Sequence, residues 1–502
     1  MSPEFSQWPD LLNKNKRALK TLPESSKYRE NLLNIADSYT QKIGVKSRYP
    51  KGCQNVVVTG HQAIWHHCGI LVKNFITNNF AVQVNGCGVH LVLDHDVCDT
   101  ALTSPVYTGD NHLNFKKTNL EQSQHNIPLE FRALPNVKHV KFFIDSIPAK
   151  EKRFCYNVWT QNSVLNFNNL ASFKNVADLI TQFQAVLNSA LGIDLLYLPI
   201  SQMSESRCFI EFAISIFTNS VNFANIYNKG ISEQIRTRKI NPAQTIRPLK
   251  IDDKNGIIEL PFWLVSSSGE RFSLYVTTDN KKNIKFGTSF VILGVLDSST
   301  FDDKAQQFKK IMAKHGYYLR PKAISLTLFV RLYLTDWFIH GIGGGIYETI
   351  TNYIIEKYYK IKNLYFGIAT ATLTLSPEEY NHSFCSTSAE FKSQLRKLNF
   401  NPEKFIENSL LNKNPVRSLV RKKKKIIEAS KNPNLSTVER KLSCKSISDV
   451  NKELLKYTGR SREDLTRKAE LLQKNKLSTK VTNYREFFFG LFPQKALRNL
   501  LT

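Results

Sequence analysis

Two short β-branched runs bracket a helix-length apolar stretch in the amino-terminal fifth of this chain. Gln54-Asn55-Val56-Val57-Val58-Thr59-Gly60 has the continuous apolar character of a strand buried on both faces. The stretch from Gly69 to Phe80 reads as a helix, and Val89-His90-Leu91-Val92-Leu93 as a second strand. Strand, loop, helix and strand in succession form a βαβ unit, which requires a parallel sheet. Doubly wound sheets of this kind bind ligands in the loops at the carboxyl ends of their strands. The expectation is an α/β fold whose chemistry sits after Thr59-Gly60 and after Leu93.

Further strands are expected at Val140–Ile144, Leu195–Pro199 and Leu364–Ile368. A β-hairpin insertion is expected at about 257–277, where Ile258–Val265 and Phe272–Val276 flank Ser-Ser-Ser-Gly. Residues 1–50 read as a helical segment and 51–375 as the α/β core with its insertions. Residues 376–502 read as a basic helical unit in which Leu454, Leu465, Leu471 and Leu472 supply a modest apolar face. At 502 residues the chain is long enough for two to four units and a large core. Its eight cysteines form no Cys-x-x-Cys pair, and Met1 to Lys20 is polar, so reduced thiols in the cytoplasm are expected. The apolar run Ala323 to Ile339 contains Arg331 and Asp336, which argues for a buried helix and against a membrane span.

Three clusters could carry chemistry. Thr59-Gly60-His61-Gln62-Ala63-Ile64-Trp65-His66-His67-Cys68-Gly69 puts three of the eleven histidines between a buried strand and a helix. A phosphate can sit at such a helix start while imidazoles steady its charge. The competing reading is a set of satisfied polar residues. Asp94-His95-Asp96, with Asp99 close behind, ends the second strand. Two carboxylates around an imidazole can orient an amine, hold Mg²⁺ through water or tune a proton transfer. The alternative there is a helix cap with a surface histidine. The third cluster, His340-Gly341-Ile342-Gly343-Gly344-Gly345-Ile346-Tyr347-Glu348, resembles a phosphate-cradling turn, or else tight helix packing at a glycine kink. Arg331 and Asp336, inside an apolar run, must pair or meet a ligand. A zinc site from His61, His66, His67, Cys68 and His95 lacks any zinc-ligand spacing, so no metal is assigned.

In this order the clusters resemble the bacillithiol cysteine-adding family of ligases. Thr59-Gly60-His61-Gln62-Ala63 is similar to that family's Thr-Gly-Gln-Gln-Ala, with His61 replacing the first Gln, and Gly69 and Lys73 correspond after a small offset. Asp94-His95-Asp96 with Asp99 reproduces the family's Asp-His-Asp and its following acidic residue. Gly341 and Gly344 echo the later Gly-Gly-Pro-Gly-Glu turn, with Gly345 in place of Glu. The resemblance implies a Rossmann-like core of the nucleotidyltransferase type and a coiled-coil-like carboxyl-terminal unit. It further implies ATP, with Mg²⁺, over Thr59, Gly60, Gln62, Gly69, Lys73, Gly341, Gly343 and Gly344. His61, His66 or His67 would then stabilise transferred charge, and Asp94 or Asp96 would hold an acceptor amine beside His95. Asp99, Arg331 and Tyr347 would contact substrate.

The expected function is ATP-dependent joining of a carboxylate, such as that of cysteine, to an amine. The expected partners are small molecules, with a homodimer contact through the carboxyl-terminal helices and no membrane. The net charge, 69 − 42 = +27, attracts anions of any kind. Together with the run Lys413, Arg417, Arg421, Lys422–Lys425 and Lys431, it motivates a second reading, a non-catalytic RNA-binding protein. That run lacks interleaved aromatics, and a solvated helix face is the favoured reading of it. A third reading is metal-dependent hydrolysis at the histidine cluster.

Overall fold

The computed structural model describes residues 1–22, 25–46, 52–107, 113–121, 126–146, 173–238, 246–278, 283–297, 300–374, 388–432, 435–459, 463 and 477–501. The chain divides into two compact units, one of residues 1–104, 117–374 and 485–502 and the other of residues 105–116 and 375–484. The tail 485–502, which the sequence reading grouped with the basic helical unit, therefore packs into the first.

In the first unit, helices α1 (Trp8–Leu19) and α2 (Ser25–Lys42) precede β1 (Val56–Gln62), α3 (Cys68–Gln83) and β2 (Cys87–Leu93). Strands β3 (Leu102–Tyr107) and β4 (Leu113–Thr118) form a small separate sheet. Next come helices α4 (Val137–Asp145) and α5 (Val176–Ala190), strand β5 (Leu196–Pro199), and helices α6 (Ile200–Glu205), α7 (Arg207–Thr218) and α8 (Ser220–Arg238). An antiparallel stretch follows: β6 (Ile251–Asp252), β7 (Ile257–Ser266), β8 (Arg271–Thr278), β9 (Ile284–Gly287) and β10 (Ile292–Leu296). Helix α9 (Phe301–His315), β11 (Tyr317–Pro321), α10 (Ala323–Tyr333), β12 (Trp337–His340), α11 (Ile342–Lys357) and β13 (Gly367–Ile368) complete it before the tail.

The five-stranded sheet has the order β13-β12-β1-β2-β5, and every pairing is parallel. Succession runs outward from β1 through β2 to β5, then returns to the other side of β1 for β12 and β13. The direction of winding thus reverses between β1 and β12, and such a reversal opens a crevice at the carboxyl ends of the two strands. Val56, Val57 and Val58 have no exposure, as a strand covered on both faces demands.

Three expectations about local structure are corrected. Val140–Ile144 lies in helix α4, because Asn136 caps the segment through the His139 N–H at 2.8 Å and burial follows Val140, Phe143 and Ile144 at helical spacing. The run Ala323–Ile339 is a helix followed by a strand. Thr335 ends the helix by donating to the Val56 carbonyl at 3.0 Å and accepting from the Trp337 N–H at 3.1 Å, and the chain then pairs along β1. At Leu364–Ile368 only Gly367 and Ile368 are strand. The expected hairpin exists as β7 and β8, but β9, β10, β6 and the distant β11 extend it to a six-stranded antiparallel sheet.

One apolar core runs from Val58 and Leu91 of the parallel sheet, through Leu32 of α2, Phe209 of α7 and Phe329 of α10, to Phe262 of the antiparallel sheet. The second unit contains helices α12 (Ser388–Phe400), α13 (Asn408–Leu411), α14 (Val416–Ser430) and α15 (Thr437–Leu455). Its small core is Ile406, Val416, Val450 and Leu454. Leu465, Leu471 and Leu472 lie outside the described residues. Among the described residues no helix is long and apolar enough to cross a membrane.

Candidate active site

At the carboxyl edge of the parallel sheet, three strand ends arrive side by side. Gly60, His61 and Gln62 end β1, Leu93 leads into Asp94-His95-Asp96 after β2, and His340 ends β12 and leads into Gly341. Gly60 must be glycine, since a Cβ there would lie 2.8 Å from the Leu91 Cβ on β2. The Thr59 hydroxyl is spent on the Ile339 carbonyl at 2.9 Å, which ties β1 to β12 across the winding reversal.

The loop from His61 to His67 is fastened from outside. The Trp65 indole N–H donates to the Thr100 carbonyl at 2.7 Å, its ring stacks on Phe143, and the Phe489 N–H donates to the His66 carbonyl at 2.8 Å. His67 caps α3 by accepting the Gly69 N–H on Nδ1 at 3.0 Å. The His61 and His66 rings meet edge-on, 5.2 Å between centroids, and His90 of β2 lies 5.4 Å beyond His66. Burial holds the imidazoles of His61, His66 and His90 well below their ordinary range, so they are neutral at pH 7. His66 Nδ1 and the side-chain amide nitrogen of Asn74 are buried with no hydrogen-bond partner.

Lys73 is the least compensated group here. It is 4 % exposed, and its ammonium donates to the Gly60 carbonyl at 3.0 Å. Among the described residues no carboxylate pairs with it, and burial pushes its pKa down to about 8. Its charge is felt at His61, His66, His67, His90 and His340, which gathers both sides of the winding reversal around one ammonium.

The glycine cluster is the first turn of α11. Gly344 and Gly345 serve packing, since a Cβ would lie 2.8 Å from His340 Nδ1 and 2.4 Å from Ile368 Cδ1 respectively. Gly341 and Gly343 face open space. Arg331 is buried and occupied: it pairs with Glu348 at 2.6 Å and donates to the Leu364 carbonyl at 3.0 Å. Glu348 presents its other oxygen to His340 Nε2 at 3.3 Å. Burial would raise this carboxyl, but His340 and Arg331 hold it at about 2. Tyr347 is half-buried against the core. Asp336 is likewise occupied, by Arg29 at 3.0 Å and the Val56 N–H at 2.8 Å.

The acidic strand end divides by role. Both Asp94 oxygens accept from Ser201, one from its N–H at 2.9 Å and one from its hydroxyl. Burial, then the neighbouring Glu130, raises the Asp94 carboxyl to about 7. His95 is buried among Arg320, Arg271 and the Pro321 carbonyl, and burial holds it to about 4, so its neutral ring leaves Nδ1 without a partner. Asp96 is the open member. It accepts from the Gln62 amide at 3.1 Å, which joins the ends of β1 and β2, and lies 3.5 Å from Arg271 of β8. Asp99 is exposed beside Lys117 at 3.5 Å.

The structure therefore assembles His61, His66, His67, Lys73, Gln62 and Asp96 and turns Asp94, His95, Arg331 and Thr59 inward. Sequence reasoning did not single out His90, Asn74 or Arg271, and it named His340 and Glu348 only as the ends of the glycine cluster. Glu348 had a signal, since it is an acidic residue in an apolar helix with a buried arginine needing a partner. Arg271 had none, because only the folding of the antiparallel sheet brings it to Asp96. Among the described residues no three His, Cys, Asp or Glu side chains converge as metal donors. No protein-family model matches the chain, and no curated protein matches it.

Proposed function

We propose that the protein is an ATP-dependent ligase on a Rossmann-like core, activating a carboxylate such as that of cysteine and joining it to an amine. The observation that carries this reading is Lys73, a buried cation with no acidic partner among the described residues, at the winding reversal of a parallel sheet. A nucleotide phosphate supplies the missing anion. The open first turn of α11 at Gly341 and Gly343 adds free backbone N–H groups of the kind that bind phosphate. The single N–H of neutral His66 is spent on the Gln62 carbonyl at 3.0 Å, whereas that of His61, only 3.4 Å from the same carbonyl, turns to charge that develops during transfer; neither ring adds a second buried cation. Asp96, half-exposed and held by Gln62, takes the acceptor amine; Asp94, with both oxygens on Ser201, positions the loop. Mg²⁺ enters on the nucleotide phosphates, as is usual for this ion. The similarity to the cysteine-adding ligases rests on Thr59–Ala63 and Asp94–Asp96, the segments that carry these roles.

Calorimetric titration with ATP, ADP and AMP, with and without Mg²⁺, tests the reading. Saturable ATP binding that weakens at least tenfold in Lys73→Met is expected. A heat signal indistinguishable from buffer at millimolar nucleotide sinks the reading.

A second reading has its own observation. Arg417, Arg421, Lys422, Lys424 and Lys425 all lie exposed on α14, a surface that suits a nucleic-acid backbone. Binding to single-stranded RNA that falls steeply with salt, in protein that ignores ATP, would favour it over the ligase.

A further inference from the structure

At the opposite, amino-terminal end of the same sheet, two thiols face each other. Cys53 Sγ lies 2.9 Å from Cys87 Sγ. The approach is built into the backbone: the Cys87 N–H donates to the Asn55 carbonyl at 2.9 Å, and a Cβ on Gly86 would fall 2.2 Å from that oxygen. Only glycine at 86 lets the two segments come this close. Cys53 is half-buried and Cys87 buried, and Cys87 lines a cavity of about 450 Å³ together with Asn78, Asn79, Gly88 and Asp194. The other described cysteines have no such sulfur neighbour: Cys68 and Cys208 are buried singly, Cys98 is half-buried, and Cys444 is exposed in the second unit.

We propose that Cys53 and Cys87 form a reversible dithiol–disulfide site, oxidised by a small-molecule disulfide entering from this face. The sulfurs need to close by only about 0.9 Å to reach a bond of about 2.05 Å. Cys53 is the attacking thiol. The Cys87 S–H hydrogen bond, and more weakly the Arg29 charge, hold its pKa below that of an ordinary thiol, while the bond to Cys53 and burial push Cys87 up. The Cys53 thiolate attacks one sulfur of the small disulfide, giving a mixed disulfide and releasing one small thiolate. The Cys87 sulfur then loses its proton and attacks the Cys53 sulfur, forming the internal bond and expelling the second thiolate. Two protein thiols are oxidised, and the small disulfide is reduced to two thiols that carry off both protons. The bond joins residues 34 positions apart and closes a ring over β1 and α3, the segment bearing His61, His66, His67 and Lys73.

The experiment is peptide mapping of the full-length folded chain after incubation with oxidised or reduced glutathione and quenching by alkylation. Oxidised glutathione should convert the Cys53 and Cys87 peptides into one cross-linked species that dithiothreitol releases. In Cys87→Ser the adduct should stop at a mixed disulfide on Cys53. Full alkylation of both thiols in the wild-type chain after oxidised glutathione would overturn the proposal. So would a cross-link that joins either one to Cys444 instead. The wild-type result stands whether or not the variant folds.

Discussion

Arg320 and Lys73 are buried to the same degree, at 3 % and 4 % exposure, and differ in every other respect. Arg320 is gripped by Glu130 at 2.7 Å and by Glu205 at 2.8 Å, and these carboxylates raise its pKa against the opposing effect of burial. Lys73 has a single carbonyl among the described residues, and burial lowers it to about 8. The first arrangement satisfies itself and ties β11 to the segments around Glu130 and Glu205. The second is left incomplete by the protein's own side chains. Burial of a cation does not mark a site; burial without a counter-charge does.

The largest expected effect falls on the satisfied member. Arg320→Met leaves Glu130 buried without its cation and should cost about 3–5 kcal/mol, read from urea denaturation; an unchanged midpoint would dissolve the contrast. Lys73→Met should act in the opposite direction. It removes an ammonium whose burial is unfavourable by a few kcal/mol and should stabilise the chain by about 1–3 kcal/mol while weakening nucleotide binding at least tenfold. A loss of stability in that variant would show that Lys73 is structural.

The pH dependence sharpens the same contrast. A lysine depressed to about 8 binds fewer protons in the folded than in the unfolded chain between about pH 8 and its ordinary pKa. Stability should therefore rise with pH across that window in the wild type relative to Lys73→Met. A nucleotide would restore the proton to Lys73, so anion affinity should fall as pH rises through about 8. A pH-independent dissociation constant between pH 7 and 9 would separate the nucleotide from this lysine.

The smallest effects belong to the basic run. Lys423 is buried, bonded to Glu403 and to the Phe400 carbonyl, each at 2.8 Å. Lys422, Lys424 and Lys425 are exposed. Lys423→Gln should cost about 1–3 kcal/mol, whereas the triple change of its neighbours to Gln should stay within about 0.5 kcal/mol. Equal losses in the two variants would mean that the run acts as one surface.

The continuous apolar character of Val56–Val58 and Val89–Leu93 was enough to identify two buried parallel strands, because a strand covered on both faces has no polar side to show. The same argument failed at Val140–Ile144, where five apolar-rich residues suit either period and the Asn136 cap decided for helix. It failed again at Ala323–Ile339, where one apolar run is cut by Thr335 once β1 offers a carbonyl to bond. The histidine loop and Asp94-His95-Asp96 were legible as unusual residues at strand ends. Which of those side chains stay open was not.

From the sequence alone came the parallel sheet, the two loops at its carboxyl edge and the requirement that Arg331 and Asp336 find partners. Those conclusions rest on local periodicity and on the cost of burying charge, which neighbouring residues reveal. Only the tertiary structure decided that β12 returns beside β1, that Arg331 is taken by Glu348 and Asp94 by Ser201, and that Lys73 meets a lone carbonyl among the described residues. It also decided that Cys53 and Cys87 meet. Each of these is a pairing between groups far apart in the chain, and no local pattern records which distant partner a buried polar atom will find.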